Sequence, residues 1–134
     1  MITNEGKNLL RGIGLLAESV ICDAEAYDEK ADKKSVIESM AETTSRIKHG
    51  TKLLSIGDLG ILLDKYGIAF AEYADMLCDA VRKNPYNNSE VKFKADAVVS
   101  IVLDIVHREI RDDEIYKKIA DGEINENIVK GSEK

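Results

Sequence analysis

The sequence predicts an all-α domain, a four-helix bundle with a short fifth helix at its C-terminal end. Three observations predict it. The 134 residues include one proline, Pro85. Apolar residues elsewhere recur at spacings of three and four, the period of a helix face. Glycine, Asn and Ser/Asp signals fall between those periodic stretches, where helices start and stop. Hydrophobic residues make up 44% and charged residues 33%, which suits a chain that buries a core rather than one that stays disordered. The length fits one domain, expected over residues 1–122, followed by a polar tail over 123–134 that is expected to be mobile or to dock weakly through Ile124, Ile128 and Val129.

The first helix is expected from about Asn4 to Glu29, with Leu9, Ile13, Leu16, Val20, Ala24 and Tyr27 as its apolar stripe. Gly6, Gly12 and Gly14 weaken its first half by up to about 1 kcal/mol each relative to Ala, and such glycines often mark close helix approach. The polar residues Asp28 to Lys34 form the first connection. Ser35 with Glu38 reads as a capping box for a second helix that runs to His49 and stops at Gly50, with Ile37, Met40, Thr44 and Ile47 facing inward.

Ser55 with Asp58 opens a third helix expected to run unbroken to Lys83. Leu59, Leu63, Tyr66, Phe70, Tyr73 and Leu77 alternate by four and three along it, a heptad seam suited to contact with another helix. Residues Asn84 to Asn88 form a turn around Pro85. The fourth segment alternates like a strand at first, and Val98 to Val106 is rich in β-branched residues. Asn87 with Glu90 is nevertheless a capping pair, and Asp96, Ser100, Asp104 and Arg108 recur every four residues, so a helix is expected from about Ser89 to Arg111. Asp113 either caps a short fifth helix or lies within a continuation to Ala120. The third and fourth helices, apolar on more than one face, are expected to form the centre.

The net charge of −6 is spread as −3 over residues 1–31, +2 over 32–54 and −5 over 55–134. Nucleic acid and anionic membrane reward clustered Lys and Arg, so neither is the default partner. No apolar run reaches membrane-spanning length, and no order of basic, apolar and small residues marks a signal peptide, so a cytoplasmic protein is expected. Cys22 and Cys78 sit on apolar helical patterns and read as buried thiols.

Motifs that carry chemistry are thin. Gly12-Ile13-Gly14-Leu15-Leu16-Ala17 has the spacing of a dinucleotide fingerprint but no strand before it. His49 and His107 lack the Glu-x-x-His spacing of carboxylate-bridged metal bundles, and no Cys-x-x-Cys is present. No serine or cysteine has an activating neighbour. The leading expectation is therefore a non-enzymatic interaction module, an adaptor, inhibitor or regulatory subunit, acting as a helical homo-oligomer through Leu59, Leu63, Tyr66, Phe70, Tyr73 and Leu77, with no cofactor. Its first rival is a magnesium-dependent enzyme acting on a nucleotide or other phosphorylated small molecule, with Glu38, Glu42, Glu72, Asp75 and Asp79 converging on the metal. The second is a nucleic-acid binder using Arg46, Lys48 and Lys52 at the basic end of the second helix.

Overall fold

The computed structural model describes residues 1–27 and 33–120, without the side chains of residues 116, 119 and 120. The predicted tail over 123–134 and the predicted end of the first helix at Glu29 lie outside the described residues. Those that are described form helices and their connections: α1 (Asn4–Ala26), α2 (Lys33–Lys52), α3 (Ile56–Tyr66), α4 (Phe70–Lys83) and α5 (Asn88–Ala120). The domain is all-α and bundle-like, as expected.

Thr3 starts α1, its hydroxyl accepting the Gly6 amide at 3.0 Å. The inner face of α1 is Leu10, Ile13, Ala17, Val20 and Ala24, all buried. This is rotated from the predicted stripe: Leu9 and Leu16 are only partly buried, because α1 lies between α2 and α5 and buries both flanks. Helix α2 departs from expectation at both ends. It begins at Lys33, so Ser35 lies inside the first turn rather than capping it, and it runs through Gly50 to Lys52. Gly50 is where α2 passes α1, since a Cβ there would sit 3.2 Å from Ile13 Cγ1. Close approach, not termination, explains that glycine.

The predicted third helix is two helices. Gly67 takes the left-handed conformation, with φ 69°, and ends α3. Its amide donates to the Leu63 carbonyl at 2.9 Å and the Ile68 amide to that of Leu62 at 3.0 Å. The apolar heptad runs straight across Gly67 in sequence, but the backbone turns there, so the seam is cut between Tyr66 and Phe70. The fourth predicted segment is wholly helical and continues to Ala120 as α5, with no break at Asp113. The short additional helix is thus α3, in mid-chain, rather than a C-terminal one. Asn87 caps α5, its side-chain carbonyl accepting the Glu90 amide at 3.2 Å.

Four helices alternate in direction. Ser39 of α2 donates to Asp23 of α1 at 2.8 Å near one end of that pair, and Gly50 meets Ile13 toward the other. Cys78 of α4 donates to the Thr44 carbonyl of α2 at 3.2 Å. Along α1 and α5, Glu25 pairs with Lys92 at 3.7 Å, Gly14 faces Val102, and Lys7 pairs with Asp113 at 2.9 Å. The closest-knit pairs are α1 with α5 and α1 with α2, with α4 completing the ring against α2 and α5. The centre is therefore α1 and α5: the predicted fourth helix is central as expected, and α1 takes the place expected of the third. Helix α3 buries little apart from Leu62 and Asp58 and lies across the end of the bundle.

Two α1 glycines separate by environment. A Cβ at Gly6 would overlap the Asp58 carboxylate and crowd Ile2, whereas one at Gly12 meets nothing within 4 Å. Gly6→Ala is expected to lower unfolding free energy by about 1–3 kcal/mol, and Gly12→Ala to raise it by up to about 1 kcal/mol. Urea denaturation at low micromolar concentration separates the two.

Candidate functional site

The densest polar arrangement lies where α3 meets α1 and α5. Glu109 follows Val102 and Ile105 at spacings of seven and four, which places a carboxylate on the buried face of α5, fully excluded from solvent. Its Oε1 accepts the Ile2 amide. Its Oε2 accepts Lys65 Nζ at 2.7 Å and the Tyr66 hydroxyl at 2.8 Å. Lys65 also reaches Asp112 at 2.6 Å. Beside it, buried Asp58 accepts the Thr3 amide at 3.0 Å and the Thr3 hydroxyl at 2.7 Å. Ser55 caps α3 through the Asp58 amide at 3.0 Å, as the sequence suggests, but the Asp58 side chain turns away to hold the N-terminal segment.

Burial alone would raise the Glu109 carboxyl. The Lys65, Ile2 and Tyr66 hydrogen bonds outweigh that and hold it below the ordinary carboxylate range. Asp58 is likewise pushed up by burial and brought down further by Thr3. Burial and donation to Glu109 push the Tyr66 phenol up to about 12. Burial disfavours the Lys65 ammonium, but Asp112 and Glu109 more than compensate, so it stays protonated beyond the usual lysine range. Every acceptor atom of Glu109 is occupied by its own chain. The cluster fastens α3 and the N-terminal segment onto α5.

The predicted metal ligands are not gathered. Glu38 lies near Lys34 at 4.0 Å, Glu42 pairs with Arg46 at 3.1 Å and Asp79 with Arg82 at 2.9 Å, while Glu72 and Asp75 face solvent. Among the described residues no three His, Cys, Asp or Glu side chains converge as a metal site. The predicted basic residues all lie on the second half of α2. Arg46 is committed to Glu42, Lys52 is exposed in the last turn of α2, and Lys48 lines a groove shared with Asp79. Cys22 is exposed, contrary to the sequence reading, because it falls outside the rotated inner face of α1. Cys78 is half-buried, and burial pushes its thiol up, away from the thiolate. Among the described residues no helix is long and apolar enough to cross a membrane.

The predicted heptad seam is divided between inside and outside. Phe70 and Leu77 are core residues of α4, Leu59 and Tyr66 pack partly against the core, and Leu63 and Tyr73 are exposed. No single face presents all six.

A different apolar surface is continuous. Leu15 of α1 is 68% exposed and stands between two grooves. One, of about 830 Å³, runs along α1 beside Leu9, Gly12 and Leu16 to Gly50 of α2. The other, of about 350 Å³, lies between α1 and α5, where Gly14, Val99, Val102, Leu103 and Val106 form its walls. Leu103, 49% exposed, extends the ridge onto α5. A lone exposed leucine is ordinary, but an apolar ridge flanked by two apolar grooves is a binding shape. The sequence carried one clue to it: Leu15 is one residue off the stripe of Ile13, Leu16 and Val20, and so has no place in a single-faced helix.

Comparison with protein-family models, with curated proteins and with solved structures finds no match for this chain.

The polar cluster sets the pH range of stability. Asp58 and Glu109 titrate lower in the fold than in the unfolded chain, so their contribution is present above about pH 4–5 and is lost as pH falls through their folded values. Tyr66 and Lys65 titrate higher in the fold, so theirs is present below about pH 10 and is lost as pH rises further. Glu109→Gln is expected to cost roughly 2–4 kcal/mol at neutral pH and to flatten the acid limb. Denaturation measured from pH 3 to 11 on both proteins checks this.

Proposed function

We propose that this chain is a non-enzymatic interaction module of the adaptor, inhibitor or regulatory-subunit kind that self-associates through the α1–α5 face. The observation that carries the reading is the exposed Leu15 ridge between two apolar grooves. A surface with a protruding leucine and adjacent hollows is complementary to itself, and a two-fold dimer requires that property of one patch. Covering Leu15 and Leu103 returns about 1.5–3 kcal/mol for each side chain fully buried, so the face gains from any partner that excludes water.

Two further features support this reading over a catalytic one. The buried ionisable groups are hydrogen-bonded within the chain, and several exposed charges of α2, α4 and α5 pair within their own helices, as in Glu42–Arg46, Asp79–Arg82, Glu90–Lys94 and Asp104–Arg108. The surface so organised favours contact by shape and apolar area. The contact region has moved from the predicted third helix to α1, because Gly67 breaks the seam that made the third helix attractive.

Light scattering coupled to size-exclusion chromatography tests the proposal over 10–500 µM protein, on the order of the range where small interfaces associate. The mass is expected to rise from monomer toward dimer with concentration. The double variant Leu15→Glu, Leu103→Glu is expected to remain monomeric throughout with an unchanged helical spectrum, since both side chains are exposed. A wild-type chain that is a clean monomer at the upper concentration overturns it.

A further inference from the structure

The charges beside the Leu15 ridge carry the reading one step further. Arg11 and Glu18 both line the α1–α5 groove, on either side of Leu15. They are seven residues apart, two turns of helix and roughly 10 Å along the axis, so both project from one side of α1. Both are exposed, and neither has an ion-pair partner among the described residues. The order along the ridge is positive, apolar, negative.

That order is its own complement when reversed. We infer that a second copy of this chain packs its α1 antiparallel across the first, about a two-fold axis beside Gly14 and Leu15, so that Arg11 of each copy faces Glu18 of the other. This rests on the self-association proposed above and supplies its register. A parallel arrangement would set Arg11 against Arg11 and Glu18 against Glu18, which repels at both ends. Antiparallel pairing makes two equivalent attractive contacts and brings the two Leu15 side chains together at the centre. The patch from Glu5 to Glu18 is roughly 20 Å long, which places the contact at the small, transient end of interface sizes.

A charge-reversal cycle tests the register by sedimentation equilibrium at about 50 mM salt, where exposed ion pairs are least screened. Arg11→Glu and Glu18→Arg are each expected to weaken dimerisation about ten-fold or more, because each reversal creates two like-charge contacts per dimer. The double variant Arg11→Glu, Glu18→Arg restores both pairs with their signs exchanged and is expected to return within about three-fold of the wild type. Both positions are exposed, and circular dichroism of each variant checks that it folds. A dimer whose two single reversals have no effect, or whose double variant is no better than the singles, overturns the register while leaving self-association standing. A wild-type monomer at 500 µM, on the order of the weakest association that a small interface supports, overturns both.

Discussion

One buried carboxylate, Glu109, accepts three hydrogen bonds from two separated parts of the chain: the Ile2 amide before α1, and Lys65 and Tyr66 at the end of α3. A charge fully removed from water is tolerable only if it is paired and its lone pairs are filled. The fold around it is arranged to meet that demand. The segment before α1 must reach α5, and α3 must lie across the end of the bundle so that its last turn delivers Lys65 and Tyr66. Asp58 completes the arrangement from the first turn of α3 by holding Thr3. Helix α3 buries Leu62 fully and Leu59, Ile61 and Tyr66 in part, and this network joins those contacts in fixing where it sits.

Because α1 begins from a tethered N-terminal segment, its position along α5 is set before any apolar packing is considered. The buried faces of the two helices are mostly valine and alanine: Val91, Ala95, Val98, Val102 and Val106 on α5, with Ala17, Val20 and Ala24 on α1. Short and β-branched side chains let two helices approach closely and hold one rotamer. Valine-rich runs that read locally as strand therefore form a long helix here, and the valines are accommodated because tertiary burial outweighs their weak helix propensity.

Helix class, the start signals of α3 and α5 and much of the core were legible in the sequence, since they depend on residues within one or two turns of each other. Thr44, Met40 and Ile47 of α2 and the Asn87 cap of α5 are of this kind. What was not legible depends on relations between elements. Gly67 breaks a seam whose apolar spacing continues across it, and only the backbone conformation shows that. Gly50 resembles a helix stop and is a contact point with Ile13. Cys22 shares an apolar spacing but lies outside the arc that α2 and α5 cover. The candidate surface escapes the sequence pattern for the same reason: the best heptad spans α3 and α4, whereas exposure depends on how each helix is rotated. Glu109 did leave a signal, as an acidic residue in phase with Val98, Val102 and Ile105 rather than with the polar stripe of Asp104 and Arg108.

The rotation of α1 makes the exposure of Leu15 a consequence of the fold rather than a slack detail. Three close approaches fix that rotation. Gly6 lies against Asp58 of α3, Ile13 against Gly50 of α2, and Gly14 against Val102 of α5, where a Cβ would come within 3.0 Å. Turning α1 to bury Leu15 would lift Gly14 from Val102 and drive larger neighbours into spaces sized for hydrogen. It would also drag Thr3 from Asp58 and the Ile2 amide from Glu109. The cost of unpairing a buried carboxylate exceeds the roughly 1.5–3 kcal/mol that burying one leucine returns. The network that closes one end of the bundle thus holds open on its side an apolar ridge that no other described residue covers.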